Sequence, residues 1–428
     1  MKILMINPHL LYSTNESLIH PPLGIGMLSA FLKINGHHLD FLDMPIEDID
    51  ENNLASELVK YDPDIIGVTV LTETYKTALS VAKICKTTFK TIPIVFGGPH
   101  VSFAPKETLE RNPFIDYVVR YEGELTLLNL INSIERKEEL SKIGNIGFRN
   151  GNDIVITNEE MPIENINSLP FTDRTIFNLK KYLKRDYETI VLSARGCPGK
   201  CSFCASSAMG RKHRYFSINR LLDEIEECMS YGFKSFFIAD DTFAFNNQRL
   251  SDFSKEKEKR GLNFKWTSNI RIIDINEEKA RLLKESGAYR VFVGVETIND
   301  NSSKIINKNI NTFKIINALE ILNKFKIESH ASFIIGAPGD TEDTLDKTSR
   351  FISEINPTII TLNSIRLYPG TDLYINAKKH GITLKDKYWY ENDEWVNKSV
   401  CGTTDLPPEK IDFWMDKIYM DFLSSKFK

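Results

Sequence analysis

The chain is poor in cysteine: it has six in 428 residues, and three of them (Cys85, Cys228 and Cys401) are scattered singly. That is no disulfide framework and suits a reducing compartment, so a cytoplasmic protein is expected. Long apolar runs are missing too. None approaches the roughly 20 residues that a membrane-crossing helix needs. The opening Met1-Lys2-Ile3-Leu4-Met5-Ile6-Asn7-Pro8 is too short and too strand-like for a signal peptide. Nor is there an excess of one charge. With 54 Lys and Arg against 58 Asp and Glu, the net charge of −4 argues against a nucleic-acid partner. A hydrophobic fraction of 42% and a charged fraction of 26% are ordinary for a folded chain, and the length allows two domains and an appendage.

What is present is alternation. Strands are expected at residues 2–7, His38–Leu42, Asp64–Val70, Ile92–Phe96 and Tyr117–Arg120. Helices are expected at Leu23–Ile34, Leu54–Lys60, Thr74–Phe89, Pro105–Arg111 and Glu124–Ser133. This α/β order predicts a doubly wound, Rossmann-like open sheet over residues 1–140, with ligands outside the carboxyl ends of its strands. Residues 141–183 read as a linker carrying a hairpin, 146–149 with 154–156. From 184 to 370 six strands with intervening helices suggest a partial (β/α)6 barrel, its site at the C-terminal strand ends. Residues 371–428 are left as a small C-terminal helical domain, whose amphipathic helix Pro408–Leu423 is expected to pack on the barrel.

The other three cysteines stand close together, in Arg195-Gly196-Cys197-Pro198-Gly199-Lys200-Cys201-Ser202-Phe203-Cys204. Iron–sulfur clusters are normally held by four cysteines, so a C-x3-C-x2-C triplet leaves one iron open to a substrate or cofactor. Tetrahedral zinc wants a fourth Cys or His, and His213 is the only nearby candidate. The run follows a short strand expected over residues 188–195. It precedes a helix with Ser217 as its cap and Arg220–Met229 as its body.

This C-x3-C-x-aromatic-C run in a strand-to-helix loop resembles the signature of radical S-adenosylmethionine (SAM) enzymes. Ahead of it, Pro21-Pro22-Leu23-Gly24-Ile25, Phe96-Gly97-Gly98-Pro99-His100 and Arg120-Tyr121-Glu122-Gly123-Glu124 resemble the cobalamin-binding domain of one large subfamily, the class B methyltransferase-like enzymes. The resemblance covers residues 1–370. It implies a B12-binding domain, then a radical SAM barrel, with a [4Fe–4S] cluster, S-adenosylmethionine and cobalamin as cofactors. It also implies a small-molecule substrate of natural-product, lipid or tetrapyrrole type, and an electron donor such as flavodoxin or ferredoxin. The implied activity is methyl transfer to an unactivated carbon or phosphorus centre through a 5′-deoxyadenosyl radical and methylcobalamin. Radical cyclisation, ring rearrangement or dehydration with the same cofactors is the runner-up, and a non-catalytic corrinoid or redox sensor is a third reading.

The same resemblance distributes roles. Cys197, Cys201 and Cys204 are the metal ligands and the catalytic centre, and Phe203 lies against adenine. Asp240 or Asp241, ending the second barrel strand, meets the SAM amino group, while Asp241 or Thr242 caps the next helix. Ser268, Asn269 and Arg271 follow the third strand, and Arg271 either forks onto the SAM carboxylate or pairs with Asp274. Glu296 ends the fourth strand beside the ribose or amino group, and Gly336 opens an adenine-side turn. In the first domain Thr69 and Thr72 face the crevice, and Gly97 and Gly98 let the backbone approach the corrinoid. Pro99, His100, Glu122 and Gly123 complete that set. Domains that ligate cobalt use an Asp-x-His-x-x-Gly loop. The corresponding Asp43-Met44-Pro45-Ile46-Glu47-Asp48 has neither the His nor the Gly, so the resemblance implies a lower cobalt face without a protein histidine, with His37, His38 and His100 as the remaining possible ligands.

Overall fold

The computed structural model describes residues 1–10, 20–185, 188–209 and 212–426. The chain divides into two compact units, Met1–Tyr187 with Tyr390–Asp393, and Glu188–Trp389 with Glu394–Lys428.

The first unit is built on β1 (Lys2–Asn7), β2 (His38–Asp43), β3 (Ile65–Thr69), β4 (Ile94–Gly97) and β5 (Tyr117–Val119), all parallel in the order β2-β1-β3-β4-β5. The strands read as near-continuous apolar runs because helices cover both faces of the sheet. On one face the helices Leu23–Ile34 and Gly123–Arg136 set Ile25, Leu32, Leu127, Leu130 and Ile131 against Ile3, Met5 and Val95. Strand order reverses between β1 and β3, which makes their carboxyl ends the natural crevice. The hairpin, β6 (Ile146–Asn150) and β7 (Asp153–Ile156), is part of this sheet. It adds two antiparallel strands beyond β5, and Ile146 and Phe148 are buried in the same core.

The second unit holds β8 (Glu188–Val191), β9 (Ala194–Arg195), β10 (Arg214–Tyr215), β11 (Ser235–Ile238), β12 (Lys265–Ile270), β13 (Ala288–Glu296), β14 (Glu328–Ile335) and β15 (Ile359–Ser364). Six of these form a parallel sheet in the order β8-β11-β12-β13-β14-β15, each next to its neighbour in sequence, open rather than closed. One face is sealed: Val191, Phe236, Ile238, Trp266, Val291 and Ala331 are buried. The alternate residues Ile190, Phe237, Phe292 and His330 stay partly exposed.

The strand expected over residues 188–195 is two strands. The chain leaves the sheet after Val191, and β9 pairs antiparallel with β10. The tail adds an antiparallel pair, β16 (Ile382–Leu384) with β17 (Cys401–Thr403). Its final helix, Pro408–Lys426, buries Ile411, Trp414, Ile418 and Phe422 at spacings of three and four and packs on helix Glu342–Ile355 and on β15. Among the described residues no helix is long and apolar enough to cross a membrane.

Candidate active site

The cysteine loop runs from β9 to a one-turn helix, Ala205–Ala208, at the carboxyl end of the six-stranded sheet. It is tied down mostly through its backbone. The Ser202 amide donates to Ile306 O at 3.0 Å and its hydroxyl to Ile305 O at 3.1 Å. Asn307 Nδ2 donates to Lys200 O at 2.6 Å, and the Leu373 amide donates to Ser202 O at 2.8 Å. All three cysteines are free and partly exposed, and the Gly199 amide points at Cys197 Sγ, 3.3 Å away. Burial pushes the Cys197 and Cys201 thiols up; nearby Asp241 adds to this at Cys197, whereas Lys308 opposes it at Cys201. A cationic metal centre offsets such a cost by binding the thiolates.

His213 bonds Tyr215 instead, Nδ1 to the phenol oxygen at 3.0 Å. Among the described residues no group of three or more His, Cys, Asp or Glu converges as ligands of one metal ion. A cuboidal cluster takes one sulfur per iron and needs no such convergence. Three accessible sulfurs on one anchored loop therefore fit the cluster better than a single ion.

Asp240 and Asp241 part company. Asp240 is buried, and its carboxylate accepts from the Ser193 amide at 2.7 Å, the Ala194 amide at 2.9 Å and the Ser193 hydroxyl. It thereby braces the break between β8 and β9 that launches the loop. Arg249 secures the same point from the other side, donating to Ser193 O at 3.0 Å and Phe216 O at 2.9 Å. Burial pushes the Asp240 carboxyl up to about 6. Asp241 is exposed and accepts from Ser206 Oγ at 2.6 Å, just beyond the last cysteine. Neither Asp241 nor Thr242 caps the following helix. That cap is Asn246, whose side chain accepts from the Gln248 amide, because the chain makes a further turn through Ala244 before the helix starts.

Two charged pairs flank the sulfurs. Arg271 lies 3.7 Å from Asp274, packs on the Phe245 ring at 5.6 Å and acts electrostatically on Cys197. Glu296 is buried at the end of β13 with φ +69°, its carboxylate 3.2 Å from Lys308 Nζ, and both act on Cys201. Burial raises the Glu296 carboxyl. Gly294 makes room for this pair, since a Cβ there would meet Glu296 Oε1 at 2.1 Å and Lys308 Nζ at 2.9 Å.

Asn269 is partly exposed and donates to Asp240 O at 3.0 Å. Ser268 is fully buried, its hydroxyl spent on Ile238 O at 2.7 Å. Phe203 is partly buried on the loop. Gly336 follows β14 in a turn held by Asp340, which accepts from the Ala337 amide at 3.0 Å and from Ser302 Oγ at 3.0 Å. Asp241, Arg271 and Glu296 are thus gathered around the cysteines, while Asp240 and Ser268 are turned into the scaffold. Lys308, Ser193 and Arg249 escaped sequence reasoning. The only sign of Lys308 is its place between Asn307 and Asn309, both at positive φ.

In the first unit, Thr69, Gly97, Glu122 and Gly123 are partly exposed at strand ends, and Leu71 presents an apolar side chain that is 43% exposed. A Cβ on Gly97 would have only Val119 O nearby, at 3.8 Å, so the crevice wall is open there. Gly98 is different: its φ is +121°, and a Cβ would lie 2.6 Å from Val70 O. Pro99 starts the next short helix. An open, partly apolar rim with a tight backbone turn fits a flat ligand. His100 is buried, with Nδ1 3.2 Å from Thr72 Oγ1 and its ring packed against Tyr75 and Tyr390 at 4.1 and 4.6 Å. Burial pushes it down to about 3. His37 is also engaged, with Met1 N and Asn132, and His38 bonds Asp40. Both stand at the amino end of β2, away from the crevice.

Comparison with known proteins agrees with this layout. Residues 13–131 match the B12 binding domain, and residues 191–352 match the Radical SAM superfamily. An uncharacterized methyltransferase of Pyrococcus horikoshii is 32% identical over 395 residues, 90% of this chain and 84% of that protein. The anaerobic magnesium-protoporphyrin IX monomethyl ester cyclase of Cereibacter sphaeroides is 28% identical over 392 residues, 87% of this chain and 63% of that protein. The structure of the radical S-adenosylmethionine methyltransferase TsrM from Kitasatospora setae, with tryptophan substrate and a SAM analog bound, matches with a TM-score of 0.80 at 17% identity. The match covers 99% of this chain and 88% of that one.

Fold and site together define an enzyme with two cofactor modules, a doubly wound corrinoid domain and an open parallel sheet whose strand ends present a cysteine triplet. The chain belongs to the radical SAM superfamily, among the members that carry a B12-binding domain, and it is of the methyltransferase kind. Its cofactors are cobalamin, a [4Fe–4S] cluster and S-adenosylmethionine.

Proposed function

We propose that this enzyme methylates an unactivated carbon or phosphorus centre of a small molecule of natural-product, lipid or tetrapyrrole type. The observation that carries this is the anchored cysteine triplet flanked by Asp241, Arg271 and the Glu296–Lys308 pair, in one chain with a B12-binding domain. When bound, the cluster and cobalamin supply reductive cleavage of SAM and a carrier for the methyl group.

The chain's own residues bind and orient. Cys197, Cys201 and Cys204 hold three irons. Asp241 is the exposed carboxylate for the SAM ammonium, and Arg271, the adjacent guanidinium, is for its carboxylate. Glu296, neutralised by Lys308, accepts from hydroxyl or amino groups without leaving an unpaired buried charge. Phe203, Asn269 and the Gly336 turn close around the adenosine. In the first unit Thr69, Gly97, Glu122 and Gly123 take the corrinoid at the strand ends, with Gly98, Pro99, Thr72 and His100 shaping the turn beneath. Asp240 and Ser268 act as supports.

The electron donor would be a flavodoxin or ferredoxin. The scattered cysteines and balanced charge support a cytoplasmic enzyme without a nucleic-acid partner. The similarity to the ester cyclase favours ring formation as the second reading.

Anaerobic protein reconstituted with iron, sulfide and cobalamin, then given SAM and dithionite, tests both. Methyl transfer yields 5′-deoxyadenosine together with S-adenosylhomocysteine. Ring formation yields 5′-deoxyadenosine without S-adenosylhomocysteine. Absence of both products from protein with an intact cluster would refute the proposal.

A further inference from the structure

The sheet of the second unit has an open face on which, among the residues placed at the cofactor site, Asn269 of β12 stands in register with Phe292; the rings beside it are not used there. Side chains in register across parallel strands share a face. On this face Phe237 of β11 meets Phe292 of β13 edge-on, with centroids 5.5 Å apart, and Phe292 meets His330 of β14 at 4.8 Å. His330 Nε2 is held by Thr361 Oγ1 of β15 at 2.6 Å. These rings form a ladder across the sheet, each only partly buried, and Thr361 at its end is exposed.

The ladder carries no net charge. The nearest ionic groups on β13 and β14, Arg290 and Glu328, are paired with each other at 2.6 Å. Burial and the Arg290 charge hold the His330 ring below its ordinary pKa, so at neutral pH it is an uncharged ring with one nitrogen given to Thr361. Apolar rings left half-covered at the strand level below a reaction centre are costly unless something stacks on them. The ladder and Glu296 stand on the same strand. From Phe292 to Glu296 is four residues, roughly 13 Å of strand, so a single ring cannot stack on one and react beside the other.

We infer that the Phe237–Phe292–His330 ladder is the floor of the acceptor pocket, and that it selects a flat, uncharged, unsaturated substrate of more than one ring. This rests on the methyltransferase reading given above and names the substrate class for it. Edge and face contacts between aromatic rings favour a planar π-system over a saturated one of equal area. His330 and Thr361 supply a single polar contact, suited to a carbonyl or hydroxyl on the ring edge.

The test uses 2-naphthol and its fully saturated counterpart, decahydro-2-naphthol, as probes. Their binding to the reconstituted holoenzyme is followed by saturation-transfer NMR. The naphthol should bind roughly 2- to 10-fold tighter than the saturated alcohol, the factor that one aromatic contact supplies. Phe292→Leu and Phe237→Leu keep apolar volume, and each should remove most of that preference. Phe413→Leu, at an exposed position on the tail helix, should leave it unchanged. Equal binding of the two alcohols to the wild-type enzyme would overturn the inference, even if neither ladder variant folds. So would a preference that survives both ladder variants, or one lost in Phe413→Leu. Formation of both 5′-deoxyadenosine and S-adenosylhomocysteine by wild-type enzyme keeps the cases apart: if both form and the preference is absent, only the ladder's role fails.

Discussion

Asp240 stands beside the chemistry and spends its whole carboxylate on the chain that carries the cysteines. Asp240→Ala leaves two buried amides without acceptors, at about 1–3 kcal/mol each. It should lower the unfolding midpoint and the iron bound per chain together. Asp240→Asn keeps an acceptor for both amides and a donor for the Ser193 hydroxyl, and should retain both properties. Calorimetry and iron analysis on the pair separate a brace from a SAM ligand, because a ligand role would leave cluster content intact in both variants.

His100 makes a second residue-scale prediction. Its folded pKa of about 3 lies below the ordinary value near 6.5. The unfolded chain therefore takes the proton first, and stability falls as pH drops through that window, by at most ~1.4 kcal/mol per pH unit. Asp240 and Asp340, each raised to about 6, act in the opposite sense, losing stability as pH rises towards 6. Urea unfolding of wild type and His100→Phe should show a shallower acid slope for the variant between pH 6.5 and 5; equal slopes would contradict the burial argument. The cysteines were legible in the sequence because cluster ligation demands a spacing. The division of labour between Asp240 and Asp241 was not, since which of two adjacent carboxylates turns inward is decided by the Ser193 and Ala194 amides at the break between β8 and β9, some 47 residues away.

At the level of elements, the parallel strands and their helices were legible from apolar runs alternating with helical spacing. The break after Val191 was not. Leu192-Ser193-Ala194 continues the apolar pattern, and it is the distant Asp240 acceptor, with Arg249 on Ser193 O and the pairing of β9 with β10, that draws it out of register. The hairpin at 146–156 was visible, but its place as the edge of the first sheet depends on the unpaired side of β5, which no local pattern encodes. The tail helix shows the opposite case: its buried Ile411, Trp414, Ile418 and Phe422 could be read directly from their spacing.

The turn after β4 depends on one residue. At φ +121°, with Val70 O 2.6 Å from any Cβ, Gly98→Ala should cost roughly 1–3 kcal/mol and weaken hydroxocobalamin binding. Gly97→Ala, with only Val119 O at 3.8 Å, should be milder in stability. Denaturant melts and absorbance titration with hydroxocobalamin compare the two. Equal destabilisation would mean that the turn geometry is not what requires glycine.

For the whole molecule, the governing idea is that the loop at Cys197, Cys201 and Cys204 holds a cluster with one iron left for SAM. EPR spectroscopy of the anaerobically reconstituted, dithionite-reduced protein addresses it directly, recorded with and without SAM and repeated for Cys201→Ser. The expected result is a reduced [4Fe–4S] signal whose g-values shift when SAM is added and which is lost or grossly diminished in the variant. A signal indifferent to SAM, or one that survives in Cys201→Ser unchanged, would contradict it.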